Sequence, residues 1–239
     1  MNIGEAPPKR HFHDELDTLQ EILLSMAGKA ELQVARAFQA MAEKDITVAH
    51  VLRESDEEID DLEQEVDERV AELLALHQPM ATDLRFVLAA AKVSNDVERV
   101  ADHAVNIARA VRRMRKNIPP PEVRELREMA VVTQEMLSDS LAAFVARDPG
   151  AAMRVRLTDD KVDNLRKSLF RIMVSHMLED PRNIGGGLEI LLISQNIERI
   201  ADLATNIAED VIFMVEGEIV RHRFEDYVAQ AEKRRPEIA

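Results

Sequence analysis

The sequence predicts an all-α fold made of two tandem, similar three-helix bundles with long antiparallel helices. Aromatic residues are only 3% of the 239 residues, and 7 glycines and 9 prolines leave long stretches without a helix breaker. Apolar residues recur at helical spacing along most of the chain. A repeated segment indicates that the second half of the chain has the same plan as the first.

The repeat occupies residues 94–109 and 194–209, which align at a constant offset of 100 residues. Nine of the sixteen aligned positions are identical, and these include a glutamate, an arginine, an aspartate and an asparagine. Unrelated amphipathic helices share apolar positions, but they do not share charged and amide residues in register. The duplication therefore preserves polar residues as well as a fold.

The first bundle is predicted to occupy residues 12–117. Asp45 is a candidate cap of its second helix, and Pro79 ends that helix because proline cannot continue one. The prolines at 119–121 stop the third helix and mark the boundary between the halves. The three helices are expected at residues 12–44, 46–77 and 82–116.

The second bundle is predicted to occupy residues 122–217. Asp148 is expected to cap its middle helix, with Pro149 in the first turn, where the missing N–H is harmless. The glycines at 185–187 are expected in the loop before the last helix. A polar C-terminal tail, helical in part, follows at residues 218–239. The three helices are expected at residues 122–147, at 149–180 and from the glycine loop to 216.

The net charge of −14 argues against nucleic acid and anionic lipid as direct partners and suits cation binding or a basic protein surface. The chain has no cysteine, which excludes a disulfide framework, a thiolate zinc site and a cysteine nucleophile. No segment resembles a signal peptide or is apolar for long enough to span a bilayer. We therefore expect a soluble, cytoplasmic protein.

Each copy of the repeat carries a carboxylate pair one helical turn apart, Glu98 with Asp102 and Glu198 with Asp202. Like charges at this spacing destabilise an exposed helix by about 0.2–0.5 kcal/mol. An arrangement that costs stability and still occurs twice requires a cation, which is either a metal ion or an arginine or lysine. The residues expected to orient the carboxylates from outside are Asn95, Arg99, Asn106, Arg199 and Asn206.

Two further pairs with the same spacing lie on the middle helices at an offset of 103 residues. If the second and third helices of each bundle are antiparallel neighbours, each half gathers four carboxylates. Such oxygen donors suit Mg²⁺, Mn²⁺ or iron. The alternative is a set of solvated acidic faces paired with Arg99, Arg166 and Arg199. The predicted metal ligands are Asp56, Asp60, Glu98 and Asp102 in the first half and Asp159, Asp163, Glu198 and Asp202 in the second.

These residues carry a resemblance to a known family. The segments Glu98-Arg-Val-Ala-Asp102-His-Ala-Val-Asn106 and Glu198-Arg-Ile-Ala-Asp202-Leu-Ala-Thr-Asn206 resemble the duplicated signature of the PhoU family, regulators of bacterial phosphate transport. The acidic pairs of the middle helices and the ending from Phe213 to His222 are similar to motifs of that family. One departure is that His103 becomes Leu203 in the second copy, so His103 is not expected to be an essential ligand of two symmetric sites.

The resemblance implies two similar three-helix bundles whose acidic pairs bind divalent or trivalent metal ions in multinuclear clusters. Iron is the metal that the resemblance favours, with Mn, Mg or Zn as alternatives. It also implies a cytoplasmic homodimer that negatively regulates the phosphate-starvation response. The implied partners are the ATPase subunit of the phosphate ABC transporter and a phosphate-sensing histidine kinase, without nucleic acid and without membrane insertion.

Two other functions are weighed against this one. A di-iron carboxylate oxidase places Glu-x-x-His on two helices of a bundle, whereas neither Glu98 nor Glu198 is followed by a histidine at the third position. A metal-free helical adaptor that works only through protein contacts stays open. Because no nucleophile, pocket base or phosphate-cradling loop is apparent, the chain is predicted not to be an enzyme.

Overall fold

The computed structural model describes residues 8–114, 123–221 and 223–234. No strand occurs within these ranges, and the all-α prediction is confirmed. A short 3-10 turn, Pro181–Asn183, joins two of the helices. The α-helices are α1 Pro8–Glu43, α2 Val48–His77, α3 Ala81–Met114, α4 Arg124–Ala146, α5 Pro149–Glu179, α6 Ile184–Glu216 and α7 Phe224–Arg234.

The core pattern of α2 is repeated in α5 at the offset of 103 residues. Each of these helices buries an apolar stripe whose members recur at three, four or seven residues, which places them on one face. The matching register explains why the two halves fold alike. The equivalent buried pairs are Ala49/Ala152, Leu52/Val155, Ile59/Val162, Val66/Leu169 and Val70/Met173.

The helices pack as two triplets, with α1, α2 and α3 in mutual contact and α4, α5 and α6 in mutual contact. The most extensive contact of all lies between the triplets, where α3 packs against α6. Buried apolar residues of both triplets form one continuous hydrophobic core. The proposed boundary at the prolines 119–121 lies outside the described residues, as do the predicted end of the third helix at 116 and His222. The domain limits therefore stay predictions.

The two predicted N-caps behave differently. Asp148 Oδ1 accepts hydrogen bonds from the backbone N–H of Gly150 at 2.8 Å and Ala151 at 3.0 Å, which confirms it as the cap of α5. Asp45 Oδ1 instead accepts from the N–H and the hydroxyl of Thr47, both at 2.8 Å. Asp45 therefore closes a tight turn, and α2 begins at Val48, two residues later than predicted.

The glycine triplet is not a loop, because α6 begins at Ile184 and includes all three glycines. Gly187 is buried, and a Cβ atom added there would lie 2.8 Å from Cγ and 2.9 Å from Sδ of Met177 on α5. A close approach of two helices, and not a flexible turn, therefore explains this glycine. No helix of the described residues combines the length and the hydropathy that crossing a membrane requires.

We expect Gly28→Ala and Gly187→Ala to change stability in opposite directions. Gly28 lies in α1 with open space around its Cα, so alanine should stabilise the protein by about 0.5–1 kcal/mol through helix propensity. At Gly187 the added methyl group must displace Met177, and overpacking costs about 1–3 kcal/mol. Urea unfolding followed by circular dichroism measures both, and a stabilised Gly187→Ala variant would contradict the close approach.

Candidate functional site

The first-half carboxylates lie on two helices that pack together, α2 and α3, and they interact electrostatically. Glu98 and Asp102 lie on α3, while Asp56 and Asp60 lie on α2, and the two helices pack together. Burial and then the charge of Asp102 raise the pKa of Asp56 to about 6. The same two causes, in the same order, raise the pKa of Asp60. The four residues therefore form one electrostatically coupled group, here called the first-half cluster.

Glu98 is the most perturbed member of the first-half cluster. Burial, followed by the charges of Asp102, Glu63, Asp60 and Asp56 in that order, raises its pKa to about 7. Near neutral pH this side chain is therefore partly protonated, because a further negative charge is unfavourable there. Glu63 itself accepts a hydrogen bond from Asn95 Nδ2 at 3.2 Å.

Within the described ranges, no lysine or arginine lies within ion-pair distance of any member of the first-half cluster. Arg99, which the sequence offers as a neighbour, turns instead to Asp96 at 3.4 Å. Arg109 lowers the pKa of Asp56 from a distance, and its guanidinium donates to Asn106 Oδ1 at 3.1 Å. The negative charge of the first-half cluster thus has no direct protein counterion in the described structure.

The equivalent carboxylates of α5 and α6, here called the second-half cluster, have such counterions. Burial raises the pKa of Asp159 and of Asp202, whereas Arg156 and Arg199 lower these pKa values. The two halves therefore differ in charge although their acidic residues match. The ion pairs are Arg156–Asp159 at 3.6 Å, Lys167–Asp163 at 3.5 Å, Arg166–Glu198 at 3.4 Å and Arg199–Asp202 at 3.2 Å.

The metal-ligand prediction stays a prediction. The first-half cluster fits a hard cation by donor type and by uncompensated charge. The side chains do not converge on one point, however: in the part of the chain that the structure describes, no three histidine, aspartate or glutamate residues form a group that could hold a metal ion. Mutual repulsion of carboxylates favours such separation, and a cation would require the side chains to turn towards it.

The residues predicted to orient the carboxylates have different environments. Arg199 pairs with Asp202, and Asn95 contacts Glu63 rather than a predicted ligand. Asn206 lines a polar cavity of about 330 Å³ that Arg99 and Arg199 also line. His103 forms a hydrogen bond of 2.9 Å between Nδ1 and Asn196 Oδ1, and so joins α3 to α6.

Sequence reasoning missed a buried polar group where α3 meets α6. Asp210 pairs with Lys92 at 2.8 Å, and burial followed by the charge of Asp210 raises the pKa of Asp96 to about 6. Glu209 pairs with Arg156 at 3.4 Å and with Arg221 at 3.6 Å. The duplication gave no signal, because the offset of 100 residues places Asn196, Arg109 and Ala110 opposite Asp96, Glu209 and Asp210.

Comparison with known proteins gives consistent matches along the chain. Residues 23–111 and 126–211 each match the PhoU domain model. A Pseudomonas putida protein named phosphate-specific transport system accessory protein PhoU homolog is 37% identical over 214 residues, which cover 89% of this chain and 84% of that protein. A protein of the same name from Clostridium acetobutylicum is 34% identical over 213 residues, with 89% and 97% covered.

Two crystal structures share the fold. PhoU from Pseudomonas aeruginosa has a TM-score of 0.84 at 36% identity, with 87% of this chain and 100% of that chain covered. The phosphate transport system regulatory protein PhoU from Streptococcus pneumoniae has a TM-score of 0.81 at 29% identity, with 87% and 99% covered. The Pseudomonas putida relative is named as an accessory protein and the Streptococcus pneumoniae protein as a regulatory protein, and neither is named as an enzyme, in agreement with the prediction that this chain is not an enzyme.

Proposed function

The chain belongs to the PhoU family, and from this membership we propose that it regulates phosphate uptake as an accessory protein of a phosphate transport system. The observation that carries this proposal is the doubled domain match together with the near-complete overlap with relatives of that name. The long helices offer extended surfaces for protein contacts, and the relatives are named as accessory or regulatory proteins. Regulation through binding is therefore the function that the structure supports best.

The finer proposal is that the protein acts in the cytoplasm as a homodimer and negatively regulates the phosphate-starvation response. Its proposed partners are the ATPase subunit of the phosphate ABC transporter and a phosphate-sensing histidine kinase. The names of the relatives support an action on phosphate transport. The partners, the sign of regulation and the dimer follow from the family resemblance alone.

Deleting the gene is expected to switch on a phosphate-starvation reporter in phosphate-rich medium, and the wild-type gene should switch it off again. A negative regulator keeps this response silent while phosphate is plentiful, so its loss releases the response. Co-purification of the tagged protein with the transporter ATPase or the kinase measures the proposed contacts. A reporter that stays silent in the deletion strain would contradict negative regulation, and recovery of neither partner would contradict the proposed contacts.

We further propose that the first-half cluster binds a metal ion. A bound cation supplies the positive charge that Asp56, Asp60, Glu98 and Asp102 lack in the described structure. Binding would require deprotonated carboxylates, so affinity should rise with pH through the raised pKa values of Asp56 and Glu98. The second-half cluster should bind a cation more weakly, because arginines already neutralise it.

A further inference from the structure

The groove between α5 and α6 is apolar and basic, although the chain as a whole is acidic. It has a volume of about 780 Å³ and is lined by apolar and basic side chains, among them Phe170, Leu188 and Leu192. These three are 56%, 50% and 42% exposed, which is unusual for large apolar residues that lie together. Arg171 lines the same groove and has no ion-pair partner among the described residues.

The first half provides an internal comparison for this groove. At the offset of 103 residues that aligns the buried stripes of α2 and α5, Arg166 replaces Glu63, Phe170 replaces Asp67 and Arg171 replaces Glu68. The duplication thus keeps the core and inverts the charge of the surface beside it. Apolar and basic side chains that lie together along this groove, in a chain of net charge −14, indicate a role that is separate from folding.

We propose that the α5–α6 groove is a docking site for an acidic amphipathic helix of another protein. Two adjacent helices leave a trough in which a third helix lays its apolar face, and Phe170, Leu188 and Leu192 provide the apolar floor. Arg171 at the edge, and the exposed Lys167 in place of its ion pair with Asp163, would bind carboxylates of the docked helix. This proposal concerns a surface and holds independently of the metal proposal.

Two other occupants fit the groove less well. The acidic face of α2 in a second copy has the charge but not the apolar residues, because the large apolar residues exposed on α2 are Val51 and Leu76, near the two ends of the helix. An anionic membrane contacts protruding surfaces more readily than a concave one, and it would repel a chain of net charge −14.

The test uses the full chain and a labelled synthetic helix of about 18 residues with Leu on one face and Glu elsewhere, a length that allows helix formation. Fluorescence anisotropy measures its dissociation constant. We expect Phe170→Asp with Arg171→Glu, which installs the residues found at Asp67 and Glu68, to weaken binding by about tenfold or more. Both positions are exposed, and melting curves check that the variant is folded.

A matched control is Arg154→Glu with Leu157→Asp, which makes the same charge change at exposed positions of α5 outside the groove. Binding to this variant should stay within about twofold of wild type. The proposal would be overturned if both variants lost affinity for the peptide equally or if the wild type did not bind the peptide. It would also be overturned if a peptide with Lys in place of Glu bound equally well. Two further outcomes would also overturn the proposal, because each assigns the groove to another occupant. In the first, the wild type is a dimer and only the groove variant is a monomer. In the second, the wild type sediments with anionic vesicles and the groove variant does not.

Discussion

Replacing Glu98 with Gln and Asp102 with Asn is expected to stabilise the metal-free protein at pH 8 and to remove most of its response to Mn²⁺. The amides keep the shape of the carboxylates but remove two negative charges from a cluster without a direct counterion. After allowance for solvent screening, the gain should be about 1 kcal/mol. The wild type should gain more than this from the metal, about 2.7 kcal/mol at one hundred times the dissociation constant.

The stabilisation by the amides should depend on pH. The pKa of Glu98 rises from its ordinary 4.5 to about 7 on folding, so the folded chain binds this proton more tightly than the unfolded chain does. The contribution of Glu98 to the free energy of unfolding of the wild type is therefore fully present below about pH 4.5 and is lost as the pH rises through 7. The variant does not titrate at position 98, so its advantage should be largest at pH 8 and should vanish near pH 4.5.

The matched control is Glu198→Gln with Asp202→Asn in the second half. These carboxylates pair with Arg166 and Arg199, and removing them leaves two arginines unpaired. Because burial of Asp202 offsets much of the gain from its ion pair, this change should alter stability by less than about 1 kcal/mol per pair and leave the Mn²⁺ response largely intact. Melting curves with chelator and with Mn²⁺ measure all three proteins, and the expected metal effect is about 5–10 °C. If neither chelator nor Mn²⁺ changes the melting temperature of the wild type, the metal proposal is wrong.

The sequence predicts the core of the fold well because burial repeats at helical spacing. The offset of 103 residues pairs Ile59 with Val162 and Val66 with Leu169, and all four are buried. The sequence also predicts that α2 and α3 bring their carboxylates together. Acidic residues four positions apart share one face of each helix, and these two faces meet if the helices are antiparallel neighbours. The different counterions of the two clusters were readable in principle, because Arg166 stands at the position of Glu63.

Other features depend on contacts that no local pattern encodes. Gly187 lies inside α6, where the Met177 side chain of α5 packs over it, whereas three glycines in a row favour a loop in isolation. The ion pair between Lys92 and Asp210 joins the two halves, and the repeat cannot reveal a contact between its own copies. The continuous core across α3 and α6 is likewise a property of how the halves pack together.

The continuous core predicts one cooperative unfolding transition. Ile107→Ala and Ile207→Ala should lower the melting temperature of this transition by similar amounts. Both isoleucines are fully buried at equivalent positions of α3 and α6. Each truncation should cost about 2–5 kcal/mol, which lowers the melting temperature by about 5–15 °C.

Scanning calorimetry decides between shared and independent stability. If the halves unfold together, each variant shows one shifted peak whose calorimetric and van't Hoff enthalpies agree. If the halves are independent, Ile107→Ala shifts one of two transitions and Ile207→Ala shifts the other. Leu157→Ala, at a position 57% exposed, is the control and should change stability by less than about 0.5 kcal/mol. Because α3 makes its most extensive contact with α6, we expect the single peak.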